Sequence, residues 1–171
     1  MKKEKIYLGL GGNLGNPIAT LKKASLLISQ IPEIDNFECS RLYRTSPVSD
    51  IPQEDFINGV CSFNTTLQPE LLFEKLCEIE LKLGKEQKEK NAPRVVDIDI
   101  LLYGEEVYVK NSLIIPHPRW MERLFVLKPM LDISNKVRVP IEGKVVEINL
   151  SEYIENFENI HQETVSVVSE E

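Results

Sequence analysis

A chain of 171 residues, 42% of them hydrophobic, is long enough to fold as one domain around a sizeable core. Its net charge of −7 sits almost wholly in residues 151–171, which hold six glutamates and no Lys or Arg, while the first 150 residues set 20 basic groups against 21 acidic ones. That balance excludes the broad basic footprint of a nucleic-acid binder, and no apolar stretch approaches the length of a membrane span.

Residues 5–10 predict a short strand that enters Gly11-Gly12-Asn13-Leu14-Gly15-Asn16-Pro17. The glycine run fits neither a P-loop nor a G-x-G-x-x-G fingerprint, so it reads as a tight strand-to-helix turn. Close backbone approach to a flat ligand stays compatible with it. The early glycines also break any signal-peptide core. Pro17 opens a helix whose Leu21, Ala24, Leu27, Ile28 and Ile31 recur at helical spacing up to Pro32. Residues 37–44 predict a strand leaving through Thr45-Ser46-Pro47-Val48, and a second strand follows over Phe56–Thr65. Gln68-Pro69-Glu70 opens another helix, striped by Leu72, Leu76, Ile79 and Leu83 and closed by Gly84.

Residues 85–93 form a charged loop with Lys85, Lys88 and Lys90, and Arg94 begins the most telling strand, Arg94-Val95-Val96-Asp97-Ile98-Asp99-Ile100-Leu101-Leu102-Tyr103. Side chains alternate across a strand, so Asp97 and Asp99 share one face about 7 Å apart. Two like charges so placed call for a cation, and Mg²⁺ is the hard ion that shares its shell between carboxylates, water and phosphate. The plain alternative is a solvated face with salt bridges. A predicted hairpin spans Tyr103–Ile115, turning near Lys110-Asn111; then come Pro116-His117-Pro118-Arg119 and a short helix over Leu124–Leu131. The order is βαββαβ, a ferredoxin-like α+β core with an antiparallel sheet and helices packed on it, followed by a hairpin and short helices. We expect one domain over 1–155 and an acidic, disordered tail over 156–171. Cys39, Cys61 and Cys77 show no metal-ligand spacing and read as reduced, which suits a cytoplasmic protein.

Other residues suggest a ligand. Phe56 and Asn58 face the same way, offering a ring for stacking and an amide for two hydrogen bonds to a planar heterocycle. His117 between two prolines is stiffly held and suits a contact with phosphate, although a lone His is more often structural. Arg123, four residues after Arg119, suits phosphate because its guanidinium keeps its charge. The lysines of 85–90 suit a phosphate clamp.

Together these segments resemble 6-hydroxymethyl-7,8-dihydropterin pyrophosphokinases, in register from about residue 5 to 135. The matching pieces are Leu8-Gly9-Leu10-Gly11-Gly12-Asn13-Leu14-Gly15, Tyr43-Arg44-Thr45-Ser46-Pro47-Val48, Asp55-Phe56-Ile57-Asn58, Ala92-Pro93-Arg94-Val95-Val96-Asp97-Ile98-Asp99 and Ile115-Pro116-His117-Pro118-Arg119. The resemblance implies transfer of diphosphate from ATP to the pterin hydroxymethyl group, with release of AMP. It implies two Mg²⁺ ions held by Asp97 and Asp99, and catalytic roles for Arg94 and Arg123 beside them. Arg94, His117, Arg123, Lys85 and Lys88 would contact ATP, with Glu80 and Ile100 helping to seat the nucleotide. The pterin would lie between Phe56 and Phe125, read by Asn58, Thr45, Ser46, Pro47 and Val48. A monomer is expected. The chain departs from the family in having Gly84-Lys85 where Gly-Arg is usual, and Asn91-Ala92 where Trp-Gly often stands. Lysine keeps the charge of that loop but loses the bidentate fork.

Overall fold

The structure, a computed structural model, describes residues 2–47, 51–86, 93–161 and 165–168. Strand β1 (Glu4–Gly12) leads into helix α1 (Pro17–Ser29), whose cap is Asn16: its side chain accepts the Ala19 N–H at 3.2 Å, and Pro17 follows at the first turn. Leu21, Ala24 and Ile28 face the core, as the spacing requires. Strands β2 (Ile34–Cys39) and β3 (Tyr43–Thr45) precede β4 (Phe56–Thr65), helix α2 (Pro69–Lys82) and β5 (Asp97–Tyr103). All pairings in the sheet are antiparallel: β5 lies beside β1, β1 beside β4, and both β2 and β3 along the far edge of β4. This is the expected ferredoxin-like order, and α1 and α2 cover one face through Ile6, Leu8, Leu10, Phe63, Ile98 and Ile100.

The strand expected over 37–44 is broken in two. Ser40 Oγ accepts the Val60 N–H at 2.9 Å while the Ser40 N–H bonds to the Val60 carbonyl at 2.8 Å. Beyond it the backbone turns out to Asp132, which accepts from both the N–H and the guanidinium of Arg41. The later hairpin is β6 (Tyr108–Lys110) with β7 (Leu113–Ile115), turning where predicted through Asn111 at φ 57°. Trp120 is buried in a single 3₁₀ turn. The helix expected over 124–131 runs two residues further, as α3 (Leu124–Ile133).

The second face of the sheet is covered by the C-terminal elements. Strands β8 (Lys136–Ile141) and β9 (Lys144–Asn149) form a hairpin that the sequence pattern does not predict, turned by Glu142-Gly143, both at positive φ. Helix α4 (Leu150–His161) then buries Leu150, Ile154 and Phe157 with α3, Tyr7, Val60 and Leu101. Strand β10 (Ser166–Val167) pairs with β3. Of the tail expected over 156–171, residues 156–161 continue α4 and Ser166–Val167 form β10. The reason for the helix is an apolar stripe at 150, 154 and 157, one face of a helix, hidden among glutamates that face solvent or, as Glu158 does at 3.2 Å, meet Lys128. No helix among the described residues is long and apolar enough to cross a membrane.

Candidate active site

α3 and α4 leave one end of the second face uncovered. There β5, β1 and β4 present Asp97 opposite Gly11, and Gly11 opposite Asn58; one step along, Asp99 lies opposite Gly9. Asp97 is half-buried and Asp99 exposed to the cleft. The two glycines keep the strand between them bare. A Cβ on Gly11 would lie 2.6 Å from Asn58 Oδ1, so the amide occupies the space that any other residue there would fill. Asn58 is 6% exposed, and its Nδ2 is a buried donor with no protein partner. A buried amide left so is costly unless a ligand supplies the acceptor. Tyr43 extends the same row on β3, and Thr45 stands directly opposite Phe56. Ser46 and Pro47 continue from Thr45; Val48 lies outside the described residues.

A chain of ion pairs crosses the entrance to β5. Lys85 Nζ lies 2.8 Å from Asp97 Oδ1 and 2.9 Å from Glu80 Oε2, and the same Glu80 oxygen accepts the Ile98 N–H at 2.8 Å. Burial pulls the Lys85 ammonium down, but its two carboxylate partners outweigh that and raise it. Glu80, 8% exposed, therefore fixes both the lysine and the start of the carboxylate strand. Lys88 lies outside the described residues, as do Asn91 and Ala92.

The glycine turn clasps the backbone of Arg94. Asn13 and Leu14 donate their N–H groups to the Arg94 carbonyl at 2.9 and 3.0 Å, and the Arg94 N–H donates to Asn13 Oδ1 at 2.8 Å. Asn13 Nδ2 donates in turn to Gln53 Oε1 at 2.6 Å and to the Glu54 carbonyl at 2.9 Å, tying the approach to Phe56 to the approach to Asp97. Sequence pattern assigns Asn13 no role; its signal there is an Asn inside a glycine run, where a polar side chain meets backbone at close range. Gly12 shows the closeness, since a Cβ on it would collide with the Val95 carbonyl. A cavity of about 100 Å³ opens between Leu14, Gly84, Lys85 and Arg94. A larger one, about 490 Å³, lies at the opposite end of the sheet near Lys2, Tyr7 and Arg138 and contains none of the predicted residues.

The fourth wall comes from the segment after β7. His117 donates its N–H to the Leu101 carbonyl at 3.0 Å, and its Nδ1 accepts the Arg119 N–H at 3.1 Å. Burial, then the charges of Arg123 and Arg119, push His117 down to about 4. It is thus a neutral ring whose Nε2 carries the proton. Arg123 stands at the N-cap position of α3, and its guanidinium lies 5.6 Å from the centroid of the Phe125 ring. Asp99 is pushed up to about 6, first by desolvation between the cleft walls and then by the charge of Asp97, against the pull of Arg123. Ile100, by contrast, points away from the cleft: its side chain is buried under the helices on the opposite face. Sequence alternation already places it there.

A family model described as 7,8-dihydro-6-hydroxymethylpterin-pyrophosphokinase (HPPK) matches residues 7–135. The chain is 37% identical over 131 residues to the 2-amino-4-hydroxy-6-hydroxymethyldihydropteridine pyrophosphokinase of Bacillus subtilis, covering 77% of this chain and 78% of that protein. It is 41% identical over 152 residues to the folic acid synthesis protein fol1 of Pneumocystis carinii, covering 89% of this chain and 20% of that one. With the bifunctional protein FolKE of Lactococcus lactis subsp. cremoris the identity is 37% over 149 residues, 85% of this chain and 43% of the relative. The chain thus spans less than half the length of these last two. In fold it is similar to an HPPK-DHPS crystallised with substrates, with a TM-score of 0.66 at 14% identity over 94% of this chain and 45% of that one. Wild-type Plasmodium falciparum HPPK-DHPS with STZ-DHP gives 0.67 at 15% identity over 95% and 43%.

Proposed function

The chain belongs to the 7,8-dihydro-6-hydroxymethylpterin-pyrophosphokinase family, and we propose that it transfers diphosphate from ATP to the hydroxymethyl group of 6-hydroxymethyl-7,8-dihydropterin, releasing AMP, as a cytoplasmic monomer in folate synthesis. The observation that carries this reading is the cross-strand row Asp97–Gly11–Asn58. Two strand spacings, about 10 Å, separate the carboxylate from the amide. That is close to the reach of a bicyclic ring and its hydroxymethyl arm, and the strand between is cleared of side chains.

The residues fit magnesium. Asp97 and Asp99 are hard oxygen donors on one face, and the Lys85 ammonium at Asp97 is a stand-in that marks the demand for a cation. These two carboxylates would hold two Mg²⁺ ions, which supply charge neutralisation along the triphosphate and at the oxygens of an in-line displacement. What the chain itself does is position. Asn58 offers its orphan Nδ2–H and its carbonyl to the polar edge of the pterin, with Thr45, Ser46, Pro47 and Val48 beside it. Phe56 and Phe125 supply rings for stacking. His117, neutral and fixed in one tautomer, donates Nε2–H to a phosphate oxygen without changing charge near neutral pH. Arg94 and Arg123 set permanent cations against the phosphates. Lys85 exchanges Asp97 for phosphate on nucleotide binding, and Lys88 adds a further charge from its loop. Glu80 orients Lys85 and β5, and Ile100 contributes to the nucleotide seat only through its backbone. Since phosphoryl transfer needs little covalent help, such placement accounts for most of the rate.

The test is the product. Incubated with ATP, Mg²⁺ and hydroxymethyl dihydropterin, the protein should form AMP and the diphosphorylated pterin in equal amounts. Formation of ADP, or of no nucleotide product, would overturn the proposal.

A further inference from the structure

We propose that Cys39 and Cys61 are a peroxide-reactive dithiol that closes to a disulfide across β2 and β4. The two residues stand directly opposite each other in the antiparallel register, with their sulfurs 3.3 Å apart. The Ser40 N–H bonds to the Val60 carbonyl in the next pair, so Cys39 and Cys61 occupy a non-hydrogen-bonded position of the ladder. There Cα atoms approach to about 4.5 Å, inside the range a disulfide spans, and closure to a bond of about 2.05 Å moves the sulfurs by little more than an ångström.

The two thiols are unlike, as the chemistry requires. Cys39 is exposed at the sheet edge and Cys61 is fully buried under α1. The hydrogen bond from Cys61 brings the Cys39 thiol down to about 7, against the opposing effect of burial, with help from Ser25. Cys61 is raised by the same contact and by burial. Ser25 Oγ lies 3.7 Å from the Cys61 sulfur. Cys39 is therefore the attacking thiolate and Cys61 the resolving thiol. Cys39 attacks one oxygen of hydrogen peroxide, the O–O bond breaks, and hydroxide leaves a sulfenic acid on Cys39. Cys61 then attacks that sulfur; its proton departs with the hydroxyl as water and the S–S bond forms. Two thiols are oxidised and one peroxide is reduced to two waters. Cys77, on α2 and raised by burial and by the Glu80 charge, is the internal control.

The reduced protein is treated with hydrogen peroxide, quenched with catalase, denatured, alkylated and mapped by mass spectrometry without reductant. The expected product is a Cys39–Cys61 peptide pair lighter than the two reduced peptides by two hydrogens, with Cys77 alkylated. A dithiol reductant should restore alkylation at all three cysteines, and Cys39→Ser, at an exposed position, should leave Cys61 alkylated after peroxide. The proposal is overturned if Cys39 ends as sulfinic acid while Cys61 stays alkylatable. It is equally overturned if the linked pairs involve Cys77 or join two chains.

Discussion

Asp99 and His117 face one cleft with pKa values displaced in opposite senses, which makes acid titration informative. Asp99 at about 6 lies above the ordinary carboxylate value near 4, so between these the native state binds the extra proton and stability rises as pH falls. His117 at about 4 lies below its ordinary value near 6.5, so its contribution is complete above that value and is lost as pH falls toward 4. The two slopes oppose each other over about pH 4 to 6, each on the order of a kcal/mol once Asp99 is discounted for its exposure. Asp99→Asn should therefore unmask a loss of stability in acid, and His117→Gln a gain, by urea unfolding of the ligand-free protein; parallel curves in both variants would refute these displacements. Glu80→Ala strands the Ile98 N–H and leaves Lys85 with Asp97 alone, and should cost about 1–3 kcal/mol in the same measurement. Gly11→Ala acts differently. Its methyl displaces the Asn58 amide, so pterin affinity should fall at least tenfold by fluorescence titration while ATP-analogue affinity changes little.

Among the elements, α4 is a structural helix of the second core rather than a loose tail. Phe157 is 7% exposed and packs with Tyr153. Phe157→Ala should cost about 3 kcal/mol, as large-to-small core changes do; an unaltered unfolding midpoint would mean that the helix is dispensable. Pattern reading locates the elements of the βαββαβ core well because α1 and α2 carry a period of 3.6, β5 opens on a period of 2, and β4 is a strand-length run bounded by turn signals. It places Asp97 and Asp99 on one face for the same reason. It misses β8, β9 and α4 because charge composition masks their alternation and stripe, and it runs β2 and β3 together because the break depends on Asp132, some 90 residues away. Glu80 shows a similar limit. Its place in the site comes from resemblance, whereas its hydrogen bond to the Ile98 N–H belongs to tertiary contact.

Taken whole, the molecule covers one face of its sheet with α1 and α2 and most of the other with α3, α4 and the β8–β9 hairpin, leaving one end open where cations and carboxylates meet. Lys85 holds Asp97 in the ligand-free state, so on the proposed function metal and nucleotide would displace a salt bridge to bind. On the proposed function, activity would depend on Asp97 and Asp99 gripping divalent metal along ATP. The most direct measurement is titration of Mn²⁺, followed by electron paramagnetic resonance, into the protein with a non-hydrolysable ATP analogue. Two bound ions per chain are predicted for the parent protein. In Asp97→Ala and Asp99→Ala specific binding should be lost and AMP formation should drop by about 10³-fold or more, with unchanged circular dichroism. Equal metal stoichiometry and equal turnover in the folded variants would remove both aspartates from the metal site.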